Sequence, residues 1–357
     1  MKKIIIITGL TASGKSELAD STAKKYNGAI ISADSVQIYK GLDIGSAKES
    51  IDVRKQIPHY LIDIKNFDED YDVGQFVLDC ENAINNIISN GQLPIVVGGT
   101  GLYIKALING FNLGENRANL IFREKYERLA NEFGKDYVWN ELYKLNPEKA
   151  KSVHPNNLKR VIRYLELELN KYDENTQSLQ SGCNASGNKS GILNKFKVLK
   201  LAIIDDRNVI YDKINKRVDR MIEQGLEKEM SNLIRNGATR NTHSTNSIGY
   251  KEWFDYFEGK QDYQTTVNLI KQHSRNYCKR QFTFLKTIPD LTFCTKSEAE
   301  EKIKESQIGL LFLFRSLPRR TYAPRLEVPR QQIPLWTHKE VRQNLPSVLL
   351  CTPILRQ

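Results

Sequence analysis

The amino-acid sequence predicts an α/β fold, a parallel sheet flanked by helices. Short apolar, mostly β-branched runs recur at residues 4–8, 29–33 and 93–97, and segments with helical spacing lie between them. A glycine-rich segment directly follows the first run. Strands that alternate with helices along a chain are joined by crossovers, which make neighbouring strands parallel.

The elements of the first segment follow in order. After the first strand, residues 16–26 predict a helix with Leu18, Ala19 and Ala23 on one face. The second strand is residues 29–33. Helical spacing of apolar residues from Phe76 to Ile88 predicts another helix, which Gly91 ends before the third strand at 93–97.

The remaining chain predicts more helix than strand. Residues 116–169 are almost purely helical in pattern, and residues 171–195 are rich in Ser, Asn and Gly, which predicts a mobile linker. A strand follows at 198–204, then one amphipathic helix from Ile210 to Leu233 and a last helix over 262–286. Six of the 11 prolines lie beyond residue 306, in a tail without periodicity.

These patterns divide the chain into four parts. Residues 1–115 form the first part of the α/β core, and 116–195 form a helical insertion domain with the mobile linker 171–195. Residues 196–305 continue the core with a strand and basic helices, and 306–357 are predicted to be a disordered tail.

Composition bounds the class of protein. Of 357 residues, 40% are hydrophobic and 27% charged, which is ordinary for a soluble globular chain. No apolar run approaches the roughly 18–20 residues of a membrane span. The five cysteines are scattered without a CxxC pair, which argues against a disulfide framework or a zinc site. We therefore expect a cytoplasmic protein without a membrane partner.

The positive charge is concentrated toward the C-terminal side. The net charge is +11, but residues 1–110 carry −2 whereas residues 207–288 carry +6. A polyanionic partner should therefore contact the later helices, unless their lysines and arginines only solvate helix faces.

Residues 9–16, GLTASGKS, match the phosphate-loop pattern G-x-x-x-x-G-K-[ST]. In that pattern the glycines let backbone N–H groups surround phosphate oxygens, Lys15 supplies a cation, and Ser16 supplies a hydroxyl for Mg²⁺. A strand ends before the motif and a helix begins in it, as the motif requires. It predicts a di- or triphosphate site without specifying a nucleotide.

Two further segments leave predicted strands at the same sheet edge, where ligands of open α/β sheets collect. Asp34 directly follows the second strand. A carboxylate at this position serves as a general base, as a metal partner or as a cap of the next turn. Residues 98–101, GGTG, follow the third strand and let a ligand approach the backbone closely, with Thr100 adding a hydroxyl.

Eight stretches, in order along residues 3–290, resemble the bacterial tRNA dimethylallyltransferase (tRNA isopentenyltransferase) family. They are GLTASGKSELA, ISADSVQIYKGLDIGSAK, PHYLIDI, LPIVVGGTGLYIKALING, HPNNLKRVIRYLE, INKRVDRMIEQGLEKE, SIGYKEWFDYFEG and KRQFTFLK. The resemblance implies a P-loop kinase-like sheet with a helical insertion domain. It also implies transfer of the dimethylallyl group from dimethylallyl diphosphate to N6 of the adenosine at tRNA position 37, beside the anticodon, by a monomer that binds the anticodon stem-loop.

The resemblance also implies roles for particular residues. Asp34 is the expected general base, with Thr100 and Lys15 as further catalytic residues and Mg²⁺ as cofactor on Ser16. The expected donor-binding residues are Gly9, Thr11, Ala12, Ser13, Gly14, Lys15 and Ser16. The expected tRNA-binding residues are Asp34, Ser35, Val36, Gln37, Thr100, Arg123, Lys159, Arg160, Arg163, Gly249, Tyr250, Lys251, Lys279, Arg280 and Gln281.

The last predicted helix supports RNA binding independently of the resemblance. Lys271, Arg275 and Lys279 stand four residues apart and so share one helix face, which Lys286 extends. Three aromatic residues, Tyr277, Phe282 and Phe284, are interleaved with them and either stack on bases or pack in the core.

Three other functions fit parts of the sequence. A small-molecule P-loop kinase would use Asp34 to deprotonate a hydroxyl, and an isopentenyltransferase acting on AMP would use the same chemistry on a smaller acceptor. A non-catalytic RNA-binding protein with a vestigial loop is the third. The basic C-terminal helices favour RNA over a small acceptor, and the intact Gly14-Lys15-Ser16 with Asp34 favours catalysis.

Overall fold

A computed structural model describes residues 2–110, 120–178, 192 and 195–315. The chain forms two compact units, residues 1–309 and 310–357. The first contains the sheet and the helices that surround it. Of the second, only residues 310–315 are described, as the end of a helix.

Within the described residues, six strands form one sheet in which every pairing is parallel. They are β1 (Lys3–Gly9), β2 (Gly28–Ser32), β3 (His59–Tyr60), β4 (Leu93–Val97), β5 (Lys197–Ile203) and β6 (Thr292–Cys294), in the order β3-β2-β4-β1-β5-β6. The predicted α/β class is therefore confirmed. The two edge strands were missed because runs of two and three residues carry no usable periodicity.

The central strands are mostly apolar because helices cover both faces of the sheet. Ile4 and Ile6 of β1 belong to the larger core on one face, and Ile5 and Ile7 belong to a second core on the other. The helices that surround the sheet are α1 (Lys15–Tyr26), α2 (Ile51–Gln56), α3 (Val73–Ser89), α4 (Gly101–Asn109), α9 (Arg207–Glu223), α10 (Leu226–Arg235), α11 (Trp253–Phe257), α12 (Tyr263–Leu285) and α13 (Lys296–Arg315).

Four helices between β4 and β5 pack around a core of their own. They are α5 (Leu120–Phe133), α6 (Lys135–Leu145), α7 (Pro147–Lys151) and α8 (Leu158–Ser178). Val138, Leu142, Val161 and Leu165 are fully buried among them. Most of the described residues between 120 and 178 are helical.

Helix α8 is longer than the sequence pattern indicates. Residues 171–178, predicted to begin the linker, continue this helix. Each further residue adds one backbone hydrogen bond once a helix is nucleated, so a polar segment can prolong it. Residues 179–191, 193 and 194 lie outside the described residues.

The single helix predicted from Ile210 to Leu233 is two helices, α9 and α10. Gly225 separates them with φ of 96°, a left-handed conformation that glycine adopts without strain. The apolar spacing spans the break because both helices pack on the same core.

The chain after residue 306 was predicted to lack structure, but α13 continues through Arg315. Ala299 and Ile303 of this helix are buried against the sheet, which anchors it. Residues 316–357 lie outside the described residues. Among the residues the structure describes, no helix combines the length and apolar character needed to cross a membrane.

Candidate active site

A cleft of about 1390 Å³ opens at the carboxyl ends of the central strands. The three predicted segments all line it: the phosphate loop (residues 9–16), the segment after β2, and the GGTG loop (98–101). Residues of α9 and α12 and the start of α13 complete its walls. These helices come from the second half of the chain, and the sequence does not show that they reach this edge.

The phosphate loop has the predicted strand–loop–helix context, because β1 ends at Gly9 and α1 begins at Lys15. Gly9 has φ of 139°, and a Cβ there would lie 2.2 Å from the carbonyl oxygen of Ile203. Glycine is thus required for the loop to pass β5. The Ser13 Oγ is buried without a hydrogen-bond partner among the described residues, which suits a loop that encloses a polar ligand.

Lys15 lies inside this loop, where its Nζ donates to the carbonyl of Leu10 at 2.5 Å. Burial, and secondly the charge of Arg217, lower the pKa of Lys15 to about 8. The charge of Asp34 acts in the opposite direction on the same ammonium. A cation held close to other cations is stabilised when an anion binds.

Asp34 lies on the cleft wall and also caps the turn that follows β2. Its Oδ1 accepts from the Val36 N–H at 2.9 Å. Thr100 fixes the same turn from the GGTG loop, because its Oγ1 accepts from the Ser35 N–H at 3.0 Å and donates to the Ser35 Oγ at 3.3 Å. Asp34 therefore both caps the turn and lines the cleft.

Four basic side chains of α9 line the cleft, and the sequence analysis did not assign them to the site: Lys213, Lys216, Arg217 and Arg220. Their spacing of three, one and three residues places them on one helix face. Arg217 interacts with both Lys15 and Asp34. Burial lowers the pKa of the Arg217 guanidinium, and Asp34 opposes this effect.

Gln281 of α12 lies between two of the cleft loops and is only 5% exposed. Its Oε1 accepts from the Thr11 N–H at 2.9 Å and from the Thr11 hydroxyl at 3.0 Å. Its Nε2 donates to the Gly99 carbonyl at 3.0 Å. The family resemblance predicts Gln281 as a tRNA-binding residue. In the structure, the oxygen and the nitrogen of its amide both bind loops of the protein.

Known families match nearly the whole described core. The model of the family described as IPP transferase matches residues 37–288, and that described as isopentenyl transferase matches residues 2–66. The curated tRNA dimethylallyltransferase of Bacillus cytotoxicus is 38% identical over 300 residues, which cover 84% of the chain and 92% of the relative.

The chain belongs to the IPP transferase family. The tRNA dimethylallyltransferase of Alkaliphilus oremlandii is 41% identical over 288 residues, covering 80% of the chain and 88% of the relative. The resemblance drawn from the sequence motifs is thus confirmed, and with it the assignment as a prenyltransferase.

Solved structures agree with this family assignment. The full-length tRNA isopentenylpyrophosphate transferase from Bacillus halodurans is 34% identical with a TM-score of 0.62, covering 89% of the chain and 99% of that protein. A eukaryotic dimethylallyltransferase solved while acting on tRNA is 28% identical with a TM-score of 0.68, covering 91% and 82%.

In this IPP transferase two residues predicted to bind tRNA are buried. Tyr250 is 0% exposed, and its hydroxyl donates to Glu229 Oε1 at 2.7 Å. Gly249 is also buried, and its N–H donates to Glu252 at 2.8 Å. In this structure both residues are engaged within the protein, and their contact with RNA stays a prediction. The neighbouring Lys251 is partly exposed and stays a predicted contact.

Gln37 lines the cleft, but its side chain forms hydrogen bonds with residues close to it in sequence. Its Oε1 accepts from the Ser32 hydroxyl at 2.8 Å, and its Nε2 donates to the carbonyls of Ser46 and Ala47 at 3.3 Å. Ser35 is joined to Thr100, and Val36 to Asp34, as given above. These residues build the rim beside Asp34.

The predicted tRNA contacts of the helical insertion fall into two kinds. Arg123 and Arg163 both pair with Glu166, at 3.1 and 2.6 Å, and Glu166 is only 1% exposed. Both arginines therefore also balance a buried carboxylate. Lys159 and Arg160 are exposed, and Arg160 donates to the Tyr164 hydroxyl at 2.9 and 3.0 Å.

The basic stripe on the last predicted helix is split by tertiary contacts. Lys271 pairs with Asp219 at 2.5 Å and Arg275 donates to Asn215 at 2.6 Å, so both bind α9. Lys279 and Lys286 are exposed, as is Arg280. Two of the interleaved rings pack: Phe282 against Phe293, and Phe284 over the GGTG loop.

Ser16 is an exposed hydroxyl on the cleft wall at the start of α1, and Asp34 lines the same cleft. Among the described residues, no group of three or more His, Cys, Asp or Glu side chains is arranged to hold a metal. Mg²⁺ in phosphate sites takes one or two protein oxygens together with phosphates and water. Ser16 and Asp34 offer a hydroxyl and a carboxylate oxygen to the same cleft, a donor set that fits Mg²⁺ bound together with a diphosphate.

Proposed function

We propose that this IPP transferase moves the dimethylallyl group from dimethylallyl diphosphate to N6 of the adenosine at tRNA position 37. Its curated relatives carry the name tRNA dimethylallyltransferase, and a structural neighbour was solved while acting on tRNA. The observation that carries the proposal is one cleft lined by Lys15, Arg217 and Asp34, in which the charge of Asp34 acts on both cations.

The donor's diphosphate occupies the phosphate loop in this proposal. The loop N–H groups and the dipole of α1 attract the phosphate oxygens, and Lys15 and Arg217 add two cations. Negative charge grows on the pyrophosphate as the allylic carbon–oxygen bond breaks. Cations already in place stabilise that charge without reorganising.

The acceptor amine needs help because its lone pair is delocalised into the purine ring. As the bond from N6 to the allylic carbon forms, one N6 proton passes to the Asp34 carboxylate and pyrophosphate leaves. A positioned base of this kind contributes about 10²–10⁴ in rate. The turn held by Val36 and Thr100 fixes the direction of the carboxylate.

Mg²⁺ would be held by Ser16 and the diphosphate oxygens, where it supplies further neutralisation of the leaving group. The chain's own residues hold the rest of the charge. Ser16 is exposed to the cleft and so free to reach such an ion.

The tRNA must present an unstacked adenosine, which costs a few kcal/mol. Contacts outside the cleft offset this cost. The exposed cations Lys159 and Arg160 on α8, and Lys279 and Arg280 on α12, are the predicted residues best placed to meet RNA phosphates.

The test supplies purified protein with labelled dimethylallyl diphosphate and either unmodified tRNA or AMP. Label in tRNA at position 37 supports the proposal, and label in AMP alone would replace it with a free-nucleotide acceptor. A parallel incubation with labelled ATP and small hydroxyl acceptors tests the kinase alternative. Phosphoryl transfer without prenyl transfer would overturn the proposal.

A further inference from the structure

Helix α12 presents two different faces to its surroundings. Lys279, Arg280 and Thr283 are exposed on one side. On the other side Tyr277, Gln281 and Phe284, spaced four and three residues apart, lie against the cleft loops. The inner face therefore touches the loops that carry the proposed chemistry, while the outer face is open to a polyanion.

Gln281 is the side chain that joins these loops to each other. Three hydrogen bonds of 2.9–3.0 Å connect its amide to Thr11 in the phosphate loop and to Gly99 in the GGTG loop. The Thr11 N–H is thus used to anchor the loop. A residue 270 positions away in sequence sets the spacing between the two loops.

Helix α12 lies directly against the backbone of the GGTG loop. A Cβ at Gly99 would lie 2.6 Å from the Gln281 Nε2, and a Cβ at Gly101 would lie 2.5 Å from the Phe284 ring. Glycine at both positions lets α12 touch the loop backbone. Movement of one loop must therefore displace the Gln281 amide.

The connection continues from the GGTG loop to Asp34. The Thr100 N–H donates to the Ala33 carbonyl at 3.3 Å, and the Thr100 hydroxyl binds Ser35 on the other side of Asp34. One chain of hydrogen bonds and peptide links therefore runs from the phosphate loop through Gln281 to the turn that directs the Asp34 carboxylate.

We propose that Gln281 is a positioning residue that couples diphosphate binding in the phosphate loop to the placement of Thr100 and Asp34 against the acceptor. The inference rests on the proposed function and adds a residue role to it. Because coupling between two sites is reciprocal, bound tRNA must also change the affinity for the diphosphate.

The chemistry of the site explains why an amide serves here. One group must accept from the Thr11 donors and donate to the Gly99 carbonyl, which an amide does and a carboxylate does not. A glutamate would also place negative charge beside the phosphate loop. A neutral side chain with both a donor and an acceptor is needed.

The experiment measures binding of inorganic pyrophosphate with Mg²⁺ by calorimetry, in the absence and presence of saturating unmodified tRNA. The substitution is Gln281→Met, which keeps the length of the side chain but cannot make the three hydrogen bonds. The matched control is Gln264→Met, the same change at an exposed position near the start of α12, where the amide donates to Asn268 of the same helix at 3.4 Å. Thermal unfolding of each variant checks that it is folded.

For the unchanged protein and Gln264→Met, we expect tRNA to change the pyrophosphate affinity by a factor of about 5–150, the usual range of coupling. In Gln281→Met this factor falls to about 1, and kcat falls by about 100-fold from misplacement of the reacting groups, while the tRNA affinity of the protein without pyrophosphate is unchanged. A merely structural residue would lower the unfolding temperature and leave the factor intact.

An unaltered factor in Gln281→Met, an equal loss in Gln264→Met, or no coupling in the unchanged protein would overturn the inference. Failure of the unchanged protein to label tRNA would instead overturn the proposed function. The two failures are therefore distinguishable.

Discussion

At Asp34, one carboxylate meets two demands. It holds the turn after β2 through the Val36 N–H, and it faces the cleft beside Lys15 and Arg217. A substitution that abolished both the turn contact and the proton acceptor would not tell the two roles apart. Asparagine retains an oxygen for the Val36 N–H, but it loses the negative charge and with it the ability to take a proton.

Asp34→Asn should lower the single-turnover rate of prenyl transfer to tRNA by about 10²–10⁴, the usual contribution of a general base. Binding of tRNA should be unchanged, since the turn is intact. Asp212→Asn, the same change at an exposed position of α9, serves as control. Turnover equal to that of the control would remove Asp34 from the mechanism.

Lys15 gives the site a pH dependence because burial lowers its pKa to about 8. Below pH 8 the free protein holds a charged ammonium that attracts pyrophosphate. Above pH 8 the ammonium loses its proton, so the affinity should fall, by up to tenfold for each further pH unit. Calorimetric titration with inorganic pyrophosphate from pH 7 to 9.5 measures this decline.

Lys15→Arg is the comparison for that titration, because arginine stays charged throughout the range. Ionisation of pyrophosphate itself affects both proteins equally. The pyrophosphate affinities of the two proteins should begin to diverge near pH 8. Parallel curves would show that Lys15 does not set the pH dependence.

At the scale of elements, α10 holds the segment after β2 through one carboxylate. Glu229 accepts from the N–H groups of Asp43 and Ile44 at 3.0 and 2.8 Å, and from that of Gly45 at 3.1 Å. Tyr250 donates to the same carboxylate, and burial together with the Glu229 charge raises the pKa of Tyr250. The buried tyrosine thus supports a cleft wall.

Glu229→Ala should lower the free energy of unfolding by about 1.5–3 kcal/mol, because a charged acceptor is removed from several donors. Glu223→Ala, at an exposed position in the last turn of α9, should change it by less than about 0.5 kcal/mol. Urea unfolding of both variants measures the difference. Equal stability of the two would contradict this role of Glu229.

At the scale of the whole molecule, the uneven charge favours RNA binding by the later helices. The net charge of +6 over residues 207–288 is divided, however, between exposed cations and cations paired within the protein. Lys279 belongs to the first kind. Lys271, on the same helix, belongs to the second because it pairs with Asp219.

Lys279→Ala should weaken tRNA binding and reduce the slope of log K against log salt by about 0.7–0.9, the value for one phosphate contact. Lys271→Ala should leave the slope unchanged, since its ammonium already has an anionic partner. Filter binding across salt concentrations compares the two. A slope reduced in Lys271→Ala but not in Lys279→Ala would reverse the assignment.

Much of the core was predictable because its signals are local. The runs at 4–8 and 93–97 are strands within one or two residues, and the GLTASGKS motif forms the loop between β1 and α1. The break at Gly225 was not predictable from apolar spacing, because α9 and α10 pack on one core in a common register. Edge strands β3 and β6 were missed because they depend on neighbours for their pairing.

The site was predictable in part for the same reason. Asp34 and Thr100 follow strands and so meet at one sheet edge. Arg217 and Gln281 reach that edge only because α9 and α12 pack there. Tyr250 carries a polar hydroxyl, yet it is buried and donates to Glu229. Amino-acid composition does not distinguish a polar side chain that lines the cleft from one that is buried.

The sequence by itself determined the phosphate loop, the parallel sheet and the family, since each depends on neighbouring residues and their order. Only the tertiary structure decided which polar side chains face the cleft, which hold loops together and which are buried. The physical reason is range: backbone turns form from adjacent residues, whereas a hydrogen bond such as Gln281 to Thr11 exists only after the chain has packed.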